Sequence, residues 1–227
     1  MSGGEEGRLR NEDRGQDGAS SEVPVIEVSE NGPYVVTGLR ELRVRRGEYL
    51  PLESVSYLCR CGGSKSKPFC DSTHIAQCFS GEPMATDEGE FSDYEGSSLT
   101  IHDNRAACSH VGYCVKGAPA VFDKDRRPWI KPDEGDAAEV VKQTIQRCPS
   151  GALAYTENGE RHHEWERDPG VGVARNGPYK VVGGAHLRGQ MKVQPTVAEH
   201  YALCRCGASG RKPYCDGTHL EIGFSDE

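Results

Sequence analysis

Two segments of the chain present the same set of potential metal ligands at the same spacing. The first reads Cys-Arg-Cys-Gly-Gly-Ser-Lys-Ser-Lys-Pro-Phe-Cys-Asp-Ser-Thr-His over 59–74. The second reads Cys-Arg-Cys-Gly-Ala-Ser-Gly-Arg-Lys-Pro-Tyr-Cys-Asp-Gly-Thr-His over 204–219, 145 residues later. Thiolate and imidazole groups are ligands for zinc and for iron. The candidate ligands are Cys59, Cys61, Cys70 and His74 in the first segment and Cys204, Cys206, Cys215 and His219 in the second.

A third cysteine set lies between the two repeats. Cys108 and Cys114 sit in one short segment, and Cys148-Pro149 follows 34 residues later. A ferredoxin uses Cys-x₂-Cys-x₂-Cys and a distant Cys-Pro, and here Val111 stands where the second cysteine would be. Three thiolates suit a [3Fe–4S] cluster, or a [4Fe–4S] cluster with an outside fourth ligand. Three reduced core cysteines are the structural alternative. We expect the adjacent His110 to be a loop residue rather than a ligand.

Composition indicates small folded parts that need an additional stabiliser. Of 227 residues, 35% are hydrophobic, with 28 Gly and 13 Pro. Such a chain builds small cores, which bound metal can stabilise. The net charge of −8 argues against a nucleic-acid-binding face. The first residues have no signal-peptide core, and no stretch approaches the roughly 18 apolar residues of a membrane span. Ten cysteines without an export signal indicate reduced thiols in the cytoplasm.

The repeat extends beyond the cysteines. Asn-Gly-Pro-Tyr occurs at 31–34 and 176–179, and Phe-Ser occurs at 79–80 and 224–225. The constant offset predicts two equivalent units of about 50 residues each. The predicted organisation is a disordered tail (1–22), a first unit (23–80), an acidic linker (81–97), a middle domain (98–156), a second linker (157–173) and a second unit (174–227).

Local patterns predict short elements. In each unit a strand should follow Asn-Gly-Pro-Tyr, with further strands at 42–45 and 191–193. The Cys-Asp-x-Thr-His segments should open helices, with Asp71 and Asp216 near the N-termini as caps. In the middle domain, strands are expected at 98–101, 120–122, 129–130 and 152–155. A helix should run to Arg147 from a capping box of Asp136 and Glu139.

At this level of detail the repeated motif resembles a known family. Zinc sites usually contain Cys-x₂₋₄-Cys pairs, whereas the string here is Cys-x-Cys-x₂-Ser-x₃-Pro-x-Cys-Asp-Gly-x-His, that of the CDGSH iron–sulfur (NEET) proteins. The second copy matches throughout, and the first has Ser72 in place of Gly. The resemblance implies a [2Fe–2S] cluster at each site. Cys59 and Cys61 would bind one iron, and Cys70 and His74 the outer one, with the second copy repeating this arrangement.

The same resemblance implies a fold. It is an α+β protein in which two NEET-like β units pair as an intramolecular pseudo-dimer. The middle segment resembles divergent single-cluster ferredoxin domains and the three-cysteine ferredoxins of actinobacterial type. The chain would be a monomer, or a dimer in which two chains swap halves.

The function predicted from these motifs is electron transfer with a redox partner protein, a reductase or an acceptor, rather than catalysis. An alternative is cluster transfer to an apo-acceptor, or redox sensing. A zinc-bound interaction module is a third interpretation. A histidine ligand raises the reduction potential, and our hypothesis is that His74 and His219 make the clusters acid-labile. Cys78 is expected to be a bystander thiol, and His162, His163 and His200 to be surface residues.

Overall fold

A computed structural model describes residues 23–44 and 47–226. The tail predicted to be disordered, 1–22, lies outside the described residues. Among the described residues, no helix is long and apolar enough to cross a membrane.

The described part of the chain consists mainly of short strands. The first unit contains β1 (Val25–Val28), β2 (Tyr34–Thr37), β3 (Glu41–Arg43), β4 (Tyr49–Pro51), β5 (Val55–Leu58) and α1 (Thr73–Ala76). The middle domain contains β6 (Ser92–Glu95), β7 (Thr100–Asp103), the 3₁₀ turn Arg105–Ala107, α2 (Tyr113–Gly117), α3 (Ala138–Gln146), β8 (Leu153–Glu157) and β9 (Glu160–His162). The second unit contains β10 (Gly170–Val173), β11 (Tyr179–Val182), β12 (His186–Gly189), β13 (Tyr201–Leu203) and α4 (Thr218–Glu221).

The two repeated units exchange strands. One sheet has the order β12-β1-β2-β5, and a second has the order β13-β11-β10-β3-β4. The third strand of each unit therefore lies in the sheet of the other: β12 runs parallel to β1, and β3 runs parallel to β10. Two parallel strands cannot be joined by a tight hairpin and need a long connection. Here the paired strands come from different units, so a long segment of chain lies between them.

A single hydrophobic core lies between these two sheets. Alternate residues of the short strands point inward, as in β2, where Tyr34 and Val36 are buried while their neighbours are partly exposed. Tyr34 of the first unit meets Tyr179 of the second edge-on, with ring centroids 5.9 Å apart. Both units contribute side chains to this core, so neither buries its apolar face alone.

The middle domain has a separate core beneath an antiparallel sheet of order β6-β7-β8-β9. Helix α3 packs Val141 and Ile145 into this core, as the helical periodicity predicts. The predicted capping box is wrong, because Asp136 accepts hydrogen bonds from the backbone of Ala120 and Val121 and Ala137 is the N-cap. The strands predicted at 120–122 and 129–130 reduce to one bridge between Phe122 and Ile130.

Several other predicted elements differ in the structure. The strand expected at 191–193 is absent, and β12 forms earlier, at the position equivalent to β3. Gly189, at φ 97°, ends it in a conformation that a strand cannot continue. Strands β6, β9 and β10 lie in segments that the sequence predicts to be linkers. Strands β6 and β9 form hairpins with β7 and β8, but their residues are mostly exposed and polar, so they lack the apolar alternation that predicts a strand. Strand β10 pairs with the distant β3.

A polar cluster around Arg167, in the linker after the middle domain, joins that domain to the second unit, because Arg167 also donates to the carbonyl of Gln146 in α3 at 3.4 Å. Glu199 accepts two hydrogen bonds from Arg167, at 2.9 and 2.6 Å, and one from the backbone of Gly183. His200, beside it, is 0% exposed, so its prediction as a surface residue is wrong. Its Nδ1 lies 2.7 Å from Glu199, and burial nonetheless lowers the pKa of His200 to about 4. The imidazole is therefore neutral in the folded protein near pH 6.

Acid should weaken this junction through His200. Below its ordinary pKa of about 6.5 the unfolded chain binds a proton at this ring, and the folded chain does not until about pH 4. Stability contributed by the neutral ring is complete above pH 6.5 and is lost as the pH falls towards 4. Between pH 6 and 5, the free energy of unfolding should fall by about 1 kcal/mol more in the wild type than in His200→Gln. Denaturant titrations at both pH values measure this difference, and parallel pH profiles would contradict it.

Candidate metal centres

The second repeat brings its four candidate ligands together as two pairs. The sulfurs of Cys204 and Cys206 lie 3.8 Å apart, and Cys215 Sγ lies 3.3 Å from His219 Nδ1. A tetrahedral ion with metal–sulfur bonds of about 2.3 Å separates two sulfurs by about 3.8 Å, and a sulfur and an imidazole nitrogen by roughly 3.6 Å. Each pair therefore has the separation expected for two ligands of one tetrahedral metal.

The first repeat has the same geometry. Cys59 and Cys61 sulfurs are 3.8 Å apart, and Cys70 Sγ is 3.4 Å from His74 Nδ1. Across residues 23–44 and 47–226, no three His, Cys, Asp or Glu side chains converge closely enough to hold one ion. The structure thus presents a two-plus-two arrangement at each site, which suits a two-metal cluster.

Short loops and a one-turn helix position these side chains. Helices α1 and α4 begin at Thr73 and Thr218, later than predicted, so Cys70 and Cys215 precede them. Asp71 accepts hydrogen bonds from the backbone N–H groups of Lys65 and Thr73, at 2.8 and 3.0 Å. Asp216 does the same for Gly210 and Thr218, at 2.7 and 3.0 Å. Each aspartate therefore joins the loop between the second and third cysteines to the following helix. Its two carboxylate oxygens accept backbone hydrogen bonds, which makes it a structural residue rather than a metal ligand.

Burial governs the ionisation of the ligand side chains. It raises the pKa of Cys215 to about 12 and also raises the pKa values of Cys61 and Cys70. Within the second Cys-x-Cys pair, the hydrogen bond between the sulfurs lowers the pKa of Cys206 and raises that of Cys204. Because metals bind thiolates, occupation of these sites must release protons.

A buried arginine stands between the two cysteines of each Cys-x-Cys pair, and sequence reasoning assigned it no role. Arg60, 1% exposed, donates to the carbonyls of Ser29 and Gly81 at 2.9 and 2.6 Å. Arg205, also 1% exposed, donates to Gly177 and Ala174 and pairs with Asp226 at 2.6 Å. The sequence did contain a signal for this role, because an arginine stands between the two cysteines in both copies of the motif. These guanidinium groups attach each Cys-x-Cys loop to the backbone around it.

The two Cys-x-Cys loops touch each other. A Cβ at Gly62 would lie 2.5 Å from the carbonyl oxygen of Cys206, and one at Gly207 would lie 2.5 Å from that of Cys61. Both glycines have φ near +80°, a conformation that other residues rarely adopt. The first and second sites are thus neighbours, with backbone against backbone.

Each loop is also bonded to a tyrosine of the opposite unit. The hydroxyl of Tyr179 lies 2.9 Å from the carbonyl oxygens of both Cys59 and Pro68. The hydroxyl of Tyr34 lies 2.9 and 3.0 Å from the corresponding oxygens of Cys204 and Pro213. Each ligand loop therefore depends on a side chain from the other half of the chain.

The three middle cysteines line one small cavity. Cys108, Cys114 and Cys148 surround a space of about 30 Å³, together with Val111 and His110. Burial raises the pKa of Cys108 to about 12 and that of Cys114 to about 11, and the nearby Cys148 thiol contributes in the same direction. The sulfurs therefore face one another across a buried space, which is the donor set an iron–sulfur cluster requires.

The remaining cysteine lies outside these sets. Cys78 is exposed, at the position that Gly223 occupies in the second unit. All ten cysteines of the sequence are free thiols in the structure.

Comparisons with known proteins identify these units. The family described as iron-binding zinc finger of CDGSH type matches residues 31–75 and 176–220, and the divergent 4Fe–4S mono-cluster family matches 94–158. The uncharacterized protein YjdI of Escherichia coli K12 is 47% identical over 68 residues, covering 30% of this chain and 88% of that protein; its counterpart in strain O157:H7 gives the same values. No solved structure matches.

The fold and sites define an iron–sulfur protein. The chain belongs to the CDGSH iron-binding family, with two CDGSH units that flank a divergent 4Fe–4S mono-cluster domain. This confirms the resemblance on which the sequence interpretation rested.

The tyrosine bonds predict an effect of one unit on the other's site. Tyr179→Phe removes a buried hydrogen bond from the first loop and should lower the free energy of unfolding by about 1–3 kcal/mol. Iron should also be lost faster from the first site, although Tyr179 lies in the second unit. Tyr201→Phe is the matched control, because it removes a 2.7 Å bond to Ala185 within one unit. Equal iron loss from the two variants would contradict the prediction; chelator-induced bleaching measures it.

Proposed function

We propose that this chain is an electron-transfer protein that carries three iron–sulfur clusters and is not itself a catalyst. Two [2Fe–2S] clusters would be held by Cys59, Cys61, Cys70 and His74, and by Cys204, Cys206, Cys215 and His219. A [3Fe–4S] cluster, or a [4Fe–4S] cluster, would be held by Cys108, Cys114 and Cys148.

The pairing of the ligands is the observation that carries this proposal. Both sites contain a sulfur–sulfur pair 3.8 Å apart and a sulfur–nitrogen pair 3.3 or 3.4 Å apart. Two pairs fit two metals, whereas a single zinc ion requires four ligands around one point. The structure supplies these pairs in two copies, with backbone N–H groups directed at the sulfurs, as from Gly63 to Cys61 at 3.4 Å.

The protein residues adapt each site to its cluster. Burial lowers the pKa of His219, which keeps the imidazole neutral and its Nδ1 free to bind metal. A neutral imidazole in place of a thiolate makes each site less negative. When bound, such clusters accept and donate single electrons, at potentials that the ligand charges and N–H···S bonds set.

The three-cysteine set favours a cluster with an open position. Val111 lines the cavity where the fourth thiolate of a [4Fe–4S] ferredoxin would be, and it offers no donor atom. A [3Fe–4S] cluster needs only three thiolates, whereas a [4Fe–4S] cluster would take its fourth ligand from elsewhere.

We also propose that the two CDGSH units form a pseudo-dimer within one chain. The exchange of β3 and β12, the reciprocal tyrosine bonds and the contact between the loops all support this arrangement. Ten free thiols favour a reducing compartment, and we place the protein in the cytoplasm.

The partner that best fits the surface is an acidic redox protein. A cavity of about 780 Å³ has five basic and no acidic side chains among its lining residues, in a chain of net charge −8. The basic residues of this cleft are Arg43, Arg147, Arg167, Arg175 and Lys180. Tyr113 and Pro149 also line it, and each is adjacent in sequence to a cysteine of the middle set.

The basic cleft predicts a salt-dependent interaction. Arg43→Glu with Arg147→Glu should slow electron exchange with an acidic ferredoxin on the order of tenfold at low ionic strength, since opposite charges steer encounter. Stopped-flow absorbance measures the rate. Lys124→Glu with Lys192→Glu, which makes the same change of charge at two exposed residues outside the cleft, is the control. Equal rates in all variants would exclude the cleft as the docking face.

The metal content tests the function directly. The purified chain should contain about seven iron atoms and about eight acid-labile sulfides, and Cys114→Ser should reduce both to about four. Cys78→Ser should leave the content unchanged. Reduced [2Fe–2S] and oxidised [3Fe–4S] clusters should each give an EPR signal. About eight iron atoms would indicate [4Fe–4S] in the middle site, and colourless protein containing zinc would contradict the proposal.

Cluster transfer is the second candidate function, and the exposure of the first site favours it. Cys61, Cys70 and His74 are only partly buried. Mixing reduced holo-protein with an apo-acceptor separates the two functions. Electron transfer leaves iron and sulfide on this chain, whereas cluster transfer moves both to the acceptor.

A further inference from the structure

The two CDGSH sites have the same ligands but different surroundings. In the second site all four candidate ligands are buried, with at most 8% of any residue exposed. In the first site only Cys59 is buried to this degree. Helix α1 contributes no buried residue, whereas α4 buries His219. A repeat with equal spacing has therefore produced one enclosed site and one open site.

The middle domain encloses the second site. Residues 108–112, which we call the covering loop, lie over the second motif: the carbonyl oxygen of Ser109 is 3.8 Å from Cys215 Sγ. Part of the segment that leads into the middle domain lies there too, with the backbone N–H of Met84 bonded to Lys212 at 2.9 Å. Arg211 donates to the carbonyl of Asp87 at 3.0 Å.

The contact between His110 and Gly217 bears on the position where the first motif, with Ser72, departs from the family pattern and the second does not. Both Ser72 and Gly217 have positive φ, 71° and 93°. A Cβ at Gly217 would lie 2.7 to 2.9 Å from three side-chain atoms of His110, closer than real Cβ atoms approach. Ser72 is exposed and carries its Cβ. Ser72 shows that this backbone conformation accepts a Cβ, so it is the histidine packed above Gly217 that leaves no room for one in the second motif.

The other neighbours of the second site close it further. The first Cys-x-Cys loop packs against Cys206 through Gly62, on the side where the two units meet. The second site thus lies between the first site and the covering loop. The first site meets the second unit at the second Cys-x-Cys loop and at Tyr179, and its Cys61, Cys70 and His74 remain partly exposed.

We propose that the middle domain is a cover for the second CDGSH site, that His110 is its point of contact, and that the first site is where metal exchanges with the surroundings. This inference rests on the proposed function, because it requires an iron–sulfur cluster at each CDGSH site. His110 is a positioning residue: it shields the ligands of the second site from solvent and is not itself a ligand. The two repeated sites therefore have different tasks: the second retains its metal, and the first presents its metal to a partner.

Site-resolved chemistry of the holo-protein tests this inference. Chelation with bipyridyl in the presence of N-ethylmaleimide alkylates each cysteine as its metal leaves, and peptide mass spectrometry assigns the modified residue. Cys61 and Cys70 should be modified on the order of tenfold faster than Cys206 and Cys215, because exchange at an enclosed site requires local opening. Equal rates at the two sites would overturn the proposal.

Variants at the contact test the role of His110. In His110→Ala, the cysteines of the second site should be alkylated at a rate within about threefold of those of the first site, whose own rate should not change. Gly217→Ser should also accelerate the second site, because its Cβ displaces the imidazole. In the double variant, Gly217→Ser should add nothing to His110→Ala. Ser72→Gly is the matched control and should leave the ratio of rates unaltered. An unchanged ratio in His110→Ala would overturn the assignment of His110.

The metal content distinguishes this inference from the proposed function. Iron and sulfide are counted in each variant before chelation. Absence of iron from the wild type contradicts the proposed function. A full iron content together with equal alkylation rates at the two sites contradicts only the proposal that the middle domain covers the second site. A variant that does not fold leaves the wild-type ratio as the deciding measurement.

Discussion

The close approach of the two Cys-x-Cys loops is the constraint on which the rest of the structure depends. Gly62 lies against the carbonyl of Cys206, and Gly207 against that of Cys61, with no room for a side chain at either position. The loops can meet only if the two units share a core and align their sheets. Strand exchange achieves this alignment, and the tyrosine bonds between units hold each loop in place.

The same contact explains how weakly hydrophobic units form a stable site. Neither unit has enough apolar surface for a core of its own, and the common core takes residues from both. Each loop also contains a buried arginine that donates to backbone carbonyls, Arg60 to Ser29 and Arg205 to Gly177, while Arg60 Nε has no hydrogen-bond partner among the described residues. The guanidinium groups are tolerated in the interior because acceptors and neighbouring aromatic rings, such as Tyr34 and Tyr179, surround them.

The middle domain makes an internally repeated protein asymmetric. Its covering loop lies on one motif alone, and the contact of His110 with Gly217 distinguishes the second motif from the first. The polar cluster of Arg167, Glu199 and His200 joins the same domain to the second unit. Insertion between two equivalent halves therefore gives the two equivalent ligand sets different environments.

The sequence by itself determined the ligand types, their spacing and the family. Cys70 and His74 come together because they are four positions apart, and the repeat then specifies Cys215 and His219 without further information. The strand after Asn-Gly-Pro-Tyr and the buried face of α3 were predictable for the same reason, since turn chemistry and helical periodicity are local.

Only the tertiary structure decided what depends on residues far apart in the chain. The exchange of β3 and β12, the burial of Arg60 and His200 and the bonding of Asp136 away from its helix all arise from such contacts. The enclosure of the second site has the same origin, because His110 and Gly217 meet only after both domains have folded. The shared ligand spacing specifies the same arrangement of ligands in both motifs, whereas the solvent exposure of each site depends on which other parts of the chain pack against it.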